Sequence, residues 1–408
     1  MTTTVAVLAT LDTKGHEAQF LREQLQRLGS DALVVDVGVL GTPACRADVT
    51  REQVAAAAGS DLARVRAGGT RETATPLMAA GAARLLGERL ARGGLHAAIG
   101  LGGLQGTALC SQVLRTLPYG FPKVMVSTVA SGDVSAYVDV KDVTMMFSVA
   151  DLLGVNVFTR RLLANAAGAA HGMAQVDVPI STPRGQKPLI GMSNLGVLTQ
   201  GAQVALQRFA ERGYEVLVFH AVGSGGRAME QMLRQGILGA VFDYAMGEVT
   251  DELFGGLRAG GAERLTVAGQ LGVPQVLVPG GAEHVGVLVP PNTVPERWRD
   301  HRHVFHSPVV LAPRLSRAEL VQVAREIGRR LQPTRGNAVL MLPTDGTGRY
   351  AMPGGPLRDP DGDAAFFAEL KAAVPQSITV VERHVHAEDP AFVHECVDRL
   401  LQLVEARR

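Results

Sequence analysis

Gly100-Leu101-Gly102-Gly103-Leu104-Gln105-Gly106-Thr107 is the stretch whose reading decides the fold. It follows Leu95-His96-Ala97-Ala98-Ile99, a short apolar run of the kind that forms a buried strand. It precedes Ala108-Leu109-Cys110-Ser111-Gln112-Val113-Leu114, which reads as the opening turns of a helix. Strand, glycine loop and helix in that order put free backbone N–H groups and the positive end of a helix dipole at one spot, where a phosphate is stabilised. Glycine has no Cβ, so the chain can approach such a guest closely. The spacing has neither the Gly-Lys-Ser/Thr of a P-loop nor the regular glycines of a dinucleotide fingerprint. A plain tight turn between strand and helix is the other reading.

The same alternation extends in both directions. Upstream, Thr4–Ala9 and Asp31–Val37 are apolar runs of strand length. Between them His16–Leu25 sets Phe20, Leu21 and Leu25 on one helical face; after them Thr73–Gly93 reads as a long helix. The stretch from Gly38 to Gly69 is looser, with one helical patch over Arg51–Gly59. Downstream, Lys123–Thr128 and Val143–Ser148 are further strands, and Val155–Met173 is an alanine-rich helix. Ligands of doubly wound sheets lie outside the carboxyl ends of the strands. Three loops fall on that edge: Asp12–Gly15, Gly102–Thr107 and Ser131–Asp133. Asp12 or Thr13 is placed to cap the first helix, whereas Lys14 opposes the helix dipole unless an anion sits there too.

Residues 177–186, with Pro179, Pro183 and Gly185, read as a linker, after which the pattern restarts. Strands are expected at Leu189–Met192, Glu215–His220, Ala240–Tyr244, Gln275–Pro279, Ala338–Pro343 and Ser377–Glu382. Helices are expected at Thr199–Arg212, Ala228–Gln235, Arg317–Leu331 and Asp363–Ala373, with Asp389 capping a last helix that has Pro390 in its first turn. Gly223-Ser224-Gly225-Gly226-Arg227 repeats the strand, glycine, helix arrangement. Pro290–Pro313 is irregular. The expected fold is α/β: two Rossmann-like doubly wound domains with mostly parallel sheets facing across a cleft. The first spans 1–176 and the second 187–408, whose last helix has the option of packing back on the first domain.

Composition supports this. A chain of 408 residues with 46% hydrophobic and 19% charged residues has material for two or three cores. Aromatics are only 4%, so Ala, Val and Leu must fill the interior, as in helices packed on parallel strands. The formal charge of +1 gives no electrostatic case for a nucleic-acid or membrane partner. Three cysteines, Cys45, Cys110 and Cys396, have no metal-type spacing. No apolar run reaches the ~18 residues of a membrane span, and no basic leader precedes the first strand, so a cytoplasmic protein is expected.

Several stretches together resemble one known family: Asp12-Thr13-Lys14-Gly15, Gly102-Gly103 with Gly106-Thr107, and Val126–Asp133. Asp142–Ser148, Leu163–Gly168, Gly225–Glu230 and Pro353-Gly354-Gly355-Pro356 with Asp359-Pro360 complete the set. On these motifs the chain is identified as a member of the Tm-one-like ATP-binding domain family, which includes the ATP-binding part of the tomato mosaic virus resistance protein. The resemblance runs through essentially the whole chain. It implies two Rossmann-like domains, nucleotide binding in the first, and a homodimer; the cofactors expected of an enzyme of this kind are ATP and Mg²⁺. Matched motif by motif, the nucleotide contacts implied are Thr13, Lys14, Gly102, Gly103, Gly106, Thr107, Ser131 and Gly132, and Asp12 and Asp133 of the same loops complete the candidate cofactor-binding set. Leu104-Gln105 departs from the smaller residues expected there, and Glu283 replaces a more usual aspartate.

The second half carries titratable groups that nucleotide binding does not require. Candidates for catalysis are His220, Arg227, Glu283, His284, Asp345, His384 and His386, at strand ends or in loops. Histidines and carboxylates there can move protons near neutrality or hold a divalent ion. His384-Val385-His386 would point both rings to one side of an extended chain, a metal-like arrangement whose alternative is two histidines at a strand end. His301, His303 and His306 raise the same two readings. The expected activity is an ATP-dependent transferase or ligase acting on a small anionic metabolite, gripped by Arg227, Arg358 and histidines. The alternatives are a nucleotide-gated binding module without turnover, and an epimerase- or transferase-like enzyme.

Overall fold

A computed structural model describes residues 2–68, 70–183 and 185–407. The chain divides after Ile180 into two compact units. Unit 1 opens with β1 (Thr4–Ala9), α1 (Leu11–Leu28) and β2 (Asp31–Asp36). It continues through α2 (Arg51–Ala57), α3 (Leu62–Ala67) and α4 (Arg71–Ala91) to β3 (Ala97–Gly102) and α5 (Leu104–Thr116). β4 (Lys123–Ser127), α6 (Ser135–Val138), β5 (Thr144–Phe147) and α7 (Val157–Ala174) complete it. All five strands are parallel, in the order β2-β1-β3-β4-β5. Successive side chains of a strand point to opposite faces. Val5, Val7 and Ala9 therefore join the core under α1 and α7, while Ala6 and Leu8 join the one under α4 and α5. Burial on both faces is why these strands read as continuous apolar runs.

Unit 2 repeats the winding. Its elements are β6 (Ile190–Asn194), α8 (Thr199–Glu211), β7 (Val216–His220), α9 (Ser224–Arg234), β8 (Ala240–Ala245), α10 (Gly247–Phe254) and α11 (Val267–Leu271). Then come β9 (Gln275–Gly280), β10 (Val287–Leu288), β11 (His303–Ser307), β12 (Val310–Pro313) and α12 (Arg317–Leu331). β13 (Ala338–Pro343), α13 (Pro360–Ala373), β14 (Thr379–Arg383) and α14 (Pro390–Ala406) close the chain. The parallel sheet has the order β7-β6-β8-β9-β13-β14, the unit 1 order with one strand added. α14 packs on its own unit: Phe392, Val397, Leu400 and Val404 share a core with Ile190, Phe242 and Val276.

Two features differ from the sequence reading. The irregular stretch Pro290–Pro313 contains two strands of a small antiparallel sheet, ordered β10-β12-β11. The glycine stretch at 100–107 is not a loop either. β3 runs through Gly102 and α5 begins at Leu104, leaving Gly103 alone between them. A Cβ at Gly102 would stand 2.6 Å from the Gly106 Cα, so this glycine serves the close approach of helix to strand. α9 likewise begins at Ser224, four residues earlier than the apolar pattern indicated.

Candidate functional site

In a parallel sheet of this order the crossovers leave in opposite directions from the first and third strands, which opens a crevice between their carboxyl ends. Unit 1 has a groove of about 250 Å³ at that place, lined by Thr10, Asp12 and Thr13, by Val37–Leu40 after β2, by Met78 of α4, and by Gln105 and Leu109 of α5. The amide at the start of α1 is already used: the buried Asp36 carboxylate accepts from Leu11 N at 3.2 Å and Gly38 N at 2.9 Å, and is paired with Arg51 at 2.7 Å. At α5 the N-cap is Gly103, which has no side chain, and no side-chain cap bond is made. The first-turn amides of a helix have no partner inside it, so α5 presents its dipole and its N–H groups beside the groove.

The predicted nucleotide residues therefore separate into groups. Asp12 and Thr13 line the groove together with Gln105, one residue before Gly106. Lys14 does not: it is buried at a non-helical kink in α1, with Nζ donating to the Leu152 carbonyl. Gly102 is inside β3, and Thr107 is buried with its hydroxyl 2.7 Å from that of Ser127, which also accepts from Val129 N at 3.1 Å. Ser131, Gly132 and Asp133 are exposed outside the groove. The Asp133 carboxyl is held low by hydrogen bonds from the backbone and side chain of Ser135.

Unit 2 has a pocket of about 200 Å³ at the equivalent edge, reached by Leu195–Val197 after β6, His220 and Val222 at the end of β7, Arg258, His284, and His306 with Ala312 from the antiparallel sheet. A hydrogen-bonded chain runs behind it, reaching the lining through His284 and Arg258. Thr347 donates to Glu283 Oε2 at 2.7 Å, His284 Nδ1 lies 2.8 Å from Glu283 Oε1, and Arg258 Nη1 lies 3.2 Å from His284 Nε2. Burial by itself would raise the Glu283 carboxyl; His284, the Thr347 hydrogen bond and Arg314 outweigh it and bring it down to about 2. An ionised Glu283 only accepts and a guanidinium only donates. The His284 tautomer follows: Nδ1 carries the proton and Nε2 accepts. At the mouth, His306 Nδ1 is 2.9 Å from the Tyr350 hydroxyl, and burial raises the Tyr350 phenol.

Of the predicted catalytic residues, His220 and His284 line this pocket, and Glu283 is buried behind His284. The others lie elsewhere. Arg227 is exposed on α9, and Asp345 faces Arg358 at 3.6 Å. His384 lies beyond the end of β14, 2.9 Å from Thr344 Oγ1, so the strand alternation that would pair it with His386 does not apply. His301 pairs with Glu319 at 3.0 Å, and His303 Nδ1 turns to the His301 carbonyl at 2.9 Å. Among the described residues no group of three or more His, Cys, Asp or Glu is arranged to hold a metal ion. Sequence reasoning missed Arg258, Asp251, Thr347 and Tyr350, whose partners come from distant segments.

The Gly223–Arg227 turn is occupied from within the chain. The buried Glu248 carboxylate accepts from Gly223 N at 2.7 Å and Gly226 N at 3.0 Å, filling the N-terminus of α9 from within. Glu248 also pairs with Arg264 at 2.6 Å, as do Asp243 and, at 3.5 Å, Glu230. All four are buried.

Fold and sites together define a two-unit, doubly wound α/β protein with a candidate ligand site at the strand-end edge of each sheet. The chain belongs to the uncharacterised protein family UPF0261: its N-terminal domain matches residues 3–179 and its C-terminal domain 187–404. It is 35% identical to a UPF0261 protein of Clostridium tetani, over 98% of this chain and 99% of that one. It is 36% identical to one of Rhizobium meliloti, over 96% and 97%. It is also 32% identical to the ToMV resistance protein Tm-1(GCR237) of Solanum lycopersicum, over 76% of this chain and 42% of that protein, as the motifs implied. A putative UDP-N-acetylglucosamine 2-epimerase of Listeria monocytogenes aligns over 68% of this chain and 79% of its own, at 12% identity and a TM-score of 0.22, which carries no inference. No described helix is long and apolar enough to cross a membrane.

Proposed function

We propose that this protein is an ATP-dependent enzyme that binds the nucleotide, with Mg²⁺, in the unit 1 groove and holds a small metabolite in the unit 2 pocket. The observation that carries this reading is the α5 N-terminus, open where the N-terminus of α9 is filled by Glu248. Phosphoryl transfer and ATP-driven activation both require fixed N–H dipoles aimed at phosphate oxygens, and a helix N-terminus supplies them without reorganisation. In this reading the α5 amides, not Lys14, carry the phosphates, since the Lys14 ammonium already has the Leu152 carbonyl. Val37, Val39, Met78 and Leu109 offer apolar walls for a flat base. Mg²⁺ is ordinarily held by one or two carboxylates together with the substrate's own phosphates. Asp12 is the carboxylate on the groove.

A melting assay with ATP, ATP plus Mg²⁺ and adenosine tests it. A ligand at 100 times its Kd adds about 2.7 kcal/mol to stability, so ATP should raise the melting temperature, more with Mg²⁺, and adenosine should do so weakly. No shift with any nucleotide refutes the assignment. Binding without ATP turnover across a panel of small metabolites would leave a nucleotide-gated binding module in its place.

A further inference from the structure

We propose that the unit 2 pocket is built for a compact, uncharged molecule with an apolar body and one carbonyl or amide oxygen, which accepts a hydrogen bond from Arg258. This goes beyond the nucleotide assignment by naming the chemical class of the second ligand. It rests on that reading only for the ligand's role as a substrate.

The argument starts from Arg258. A guanidinium has five N–H donors. Nε donates to Asp251 Oδ2 at 2.9 Å, and Nη2 donates to Asp251 Oδ1 and to the His284 carbonyl, both at 2.8 Å. One Nη1 hydrogen is directed to His284 Nε2. The second Nη1 hydrogen has no protein acceptor among the described residues, on a side chain that lines the pocket. Thr347, Glu283 and His284 act as positioning residues that lock the guanidinium. Glycines make the space: a Cβ at Gly286 would lie 2.9 Å from Arg258 Nε, and one at Gly247 would lie 3.2 Å from Nη1.

Charge decides the class of guest. Arg258, the guanidinium that lines the pocket, is already paired with Asp251, and behind it Arg314 is paired with Asp363 and Asp359, so neither has a charge to spare. A carboxylate guest would enter with no surplus positive charge to meet it, and burying an uncompensated charge is costly. An ammonium guest would put one more donor against a guanidinium that only donates. An oxygen acceptor without charge fits both constraints. Leu195, Val197, Val222 and Ala312 supply an apolar wall, beside the rings of His220, His306 and Tyr350. A cavity of about 150 Å³ lined by apolar side chains admits benzene, so one of about 200 Å³ has room for a ring bearing an amide.

The experiment compares benzamide, benzoate and benzylamine as probes on the full chain by calorimetry or ligand-observed NMR, with the ATP-induced melting shift read in parallel. Benzamide should bind, with the two charged probes at least about tenfold weaker. Val222→Trp fills the pocket and should weaken benzamide at least about tenfold while leaving the ATP shift intact. Leu257→Trp, at the exposed lip, is the second variant should the first fail to fold. Benzoate binding as tightly as benzamide, benzamide failing to bind the wild type, or both Trp variants retaining wild-type affinity would each overturn the proposal. An ATP shift without benzamide binding sinks the pocket alone; benzamide binding without an ATP shift sinks the nucleotide site alone.

Discussion

Gly102 and Gly103 are adjacent in sequence, and alanine at the two positions should do opposite things. At Gly102 the new Cβ would stand 2.6 Å from the Gly106 Cα and 3.0 Å from its carbonyl carbon, both backbone atoms that cannot swing aside. Helix α5 would have to move off β3, an overpacking cost of about 1–3 kcal/mol. For a domain of this size that lowers the melting temperature by about 2–4 °C per kcal/mol. At Gly103 φ is −76°, which alanine adopts freely, and the nearest atom is Thr128 Oγ1 at 3.6 Å, an ordinary contact. The lower chain entropy of alanine stabilises by about 0.4–1 kcal/mol, and its poorer N-cap preference offsets much of that. Gly103→Ala should therefore melt with the wild type. Its methyl stands beside the α5 amides, so ATP affinity should fall about tenfold or more, equivalent to about 1.4 kcal/mol. The assay is calorimetric titration with ATP and Mg²⁺ beside thermal melts of both variants. Wild-type ATP affinity in Gly103→Ala would refute the α5 assignment, and a wild-type melt for Gly102→Ala would refute the packing argument.

Two buried carboxylates give pH dependences of opposite sign. Glu283 is depressed from 4.5 to about 2, so its stabilisation is complete above about pH 4.5 and is lost as pH falls toward 2; Glu283→Gln should flatten the acid limb of a denaturant-midpoint profile. Glu230 is raised by burial from 4.5 to about 7 against the pull of Arg264, so its contribution is complete below about pH 4.5 and is lost as pH rises through 7; Glu230→Gln should remove that decline, and an unchanged profile would contradict the assignment. Arg264→Met leaves Asp243, Glu248 and Glu230 buried together without their cation, and urea unfolding should show a loss of at least about 3–5 kcal/mol.

Much of this architecture was legible in the sequence wherever burial is two-sided or a cap is explicit. Ala338–Pro343 is a strand of six buried residues, and Asp389 followed by Pro390 caps α14 through hydrogen bonds to Ala391 N and Phe392 N. The strands at 303–307 and 310–313 escaped because the first has no buried face, so it shows no period of two. Helix α10, Gly247–Phe254, escaped for the reverse reason. Its Glu248 and Asp251 interrupt the apolar pattern yet are fully buried, because each serves a buried arginine. The hydrogen-bonded chain behind the pocket was half legible: Glu283-His284 stands out as a dipeptide, but Thr347 lies 64 residues from Glu283 and Arg258 lies 26 from His284. No local pattern encodes contacts of that range.

The contrast between α5 and α9 shows what a repeated motif does and does not carry. Both helices follow a parallel strand, both have a glycine N-cap, and both sit in sheets wound in the same order. Read as strings they are equivalent anion sites. The difference is one carboxylate: Glu248, 22 residues beyond Gly226, supplies the negative charge that the α9 dipole favours. Hydrogen bonds to a charged group contribute about 1.5–3 kcal/mol each, so α9 is sealed by its own chain. α5 has a glycine N-cap, Gly103, as α9 has Gly223, and among the described residues it has no side-chain cap bond. The shared fold sets where an anion is favoured, and the side chains that later fold over each site decide whether the anion is the protein's own or a ligand's.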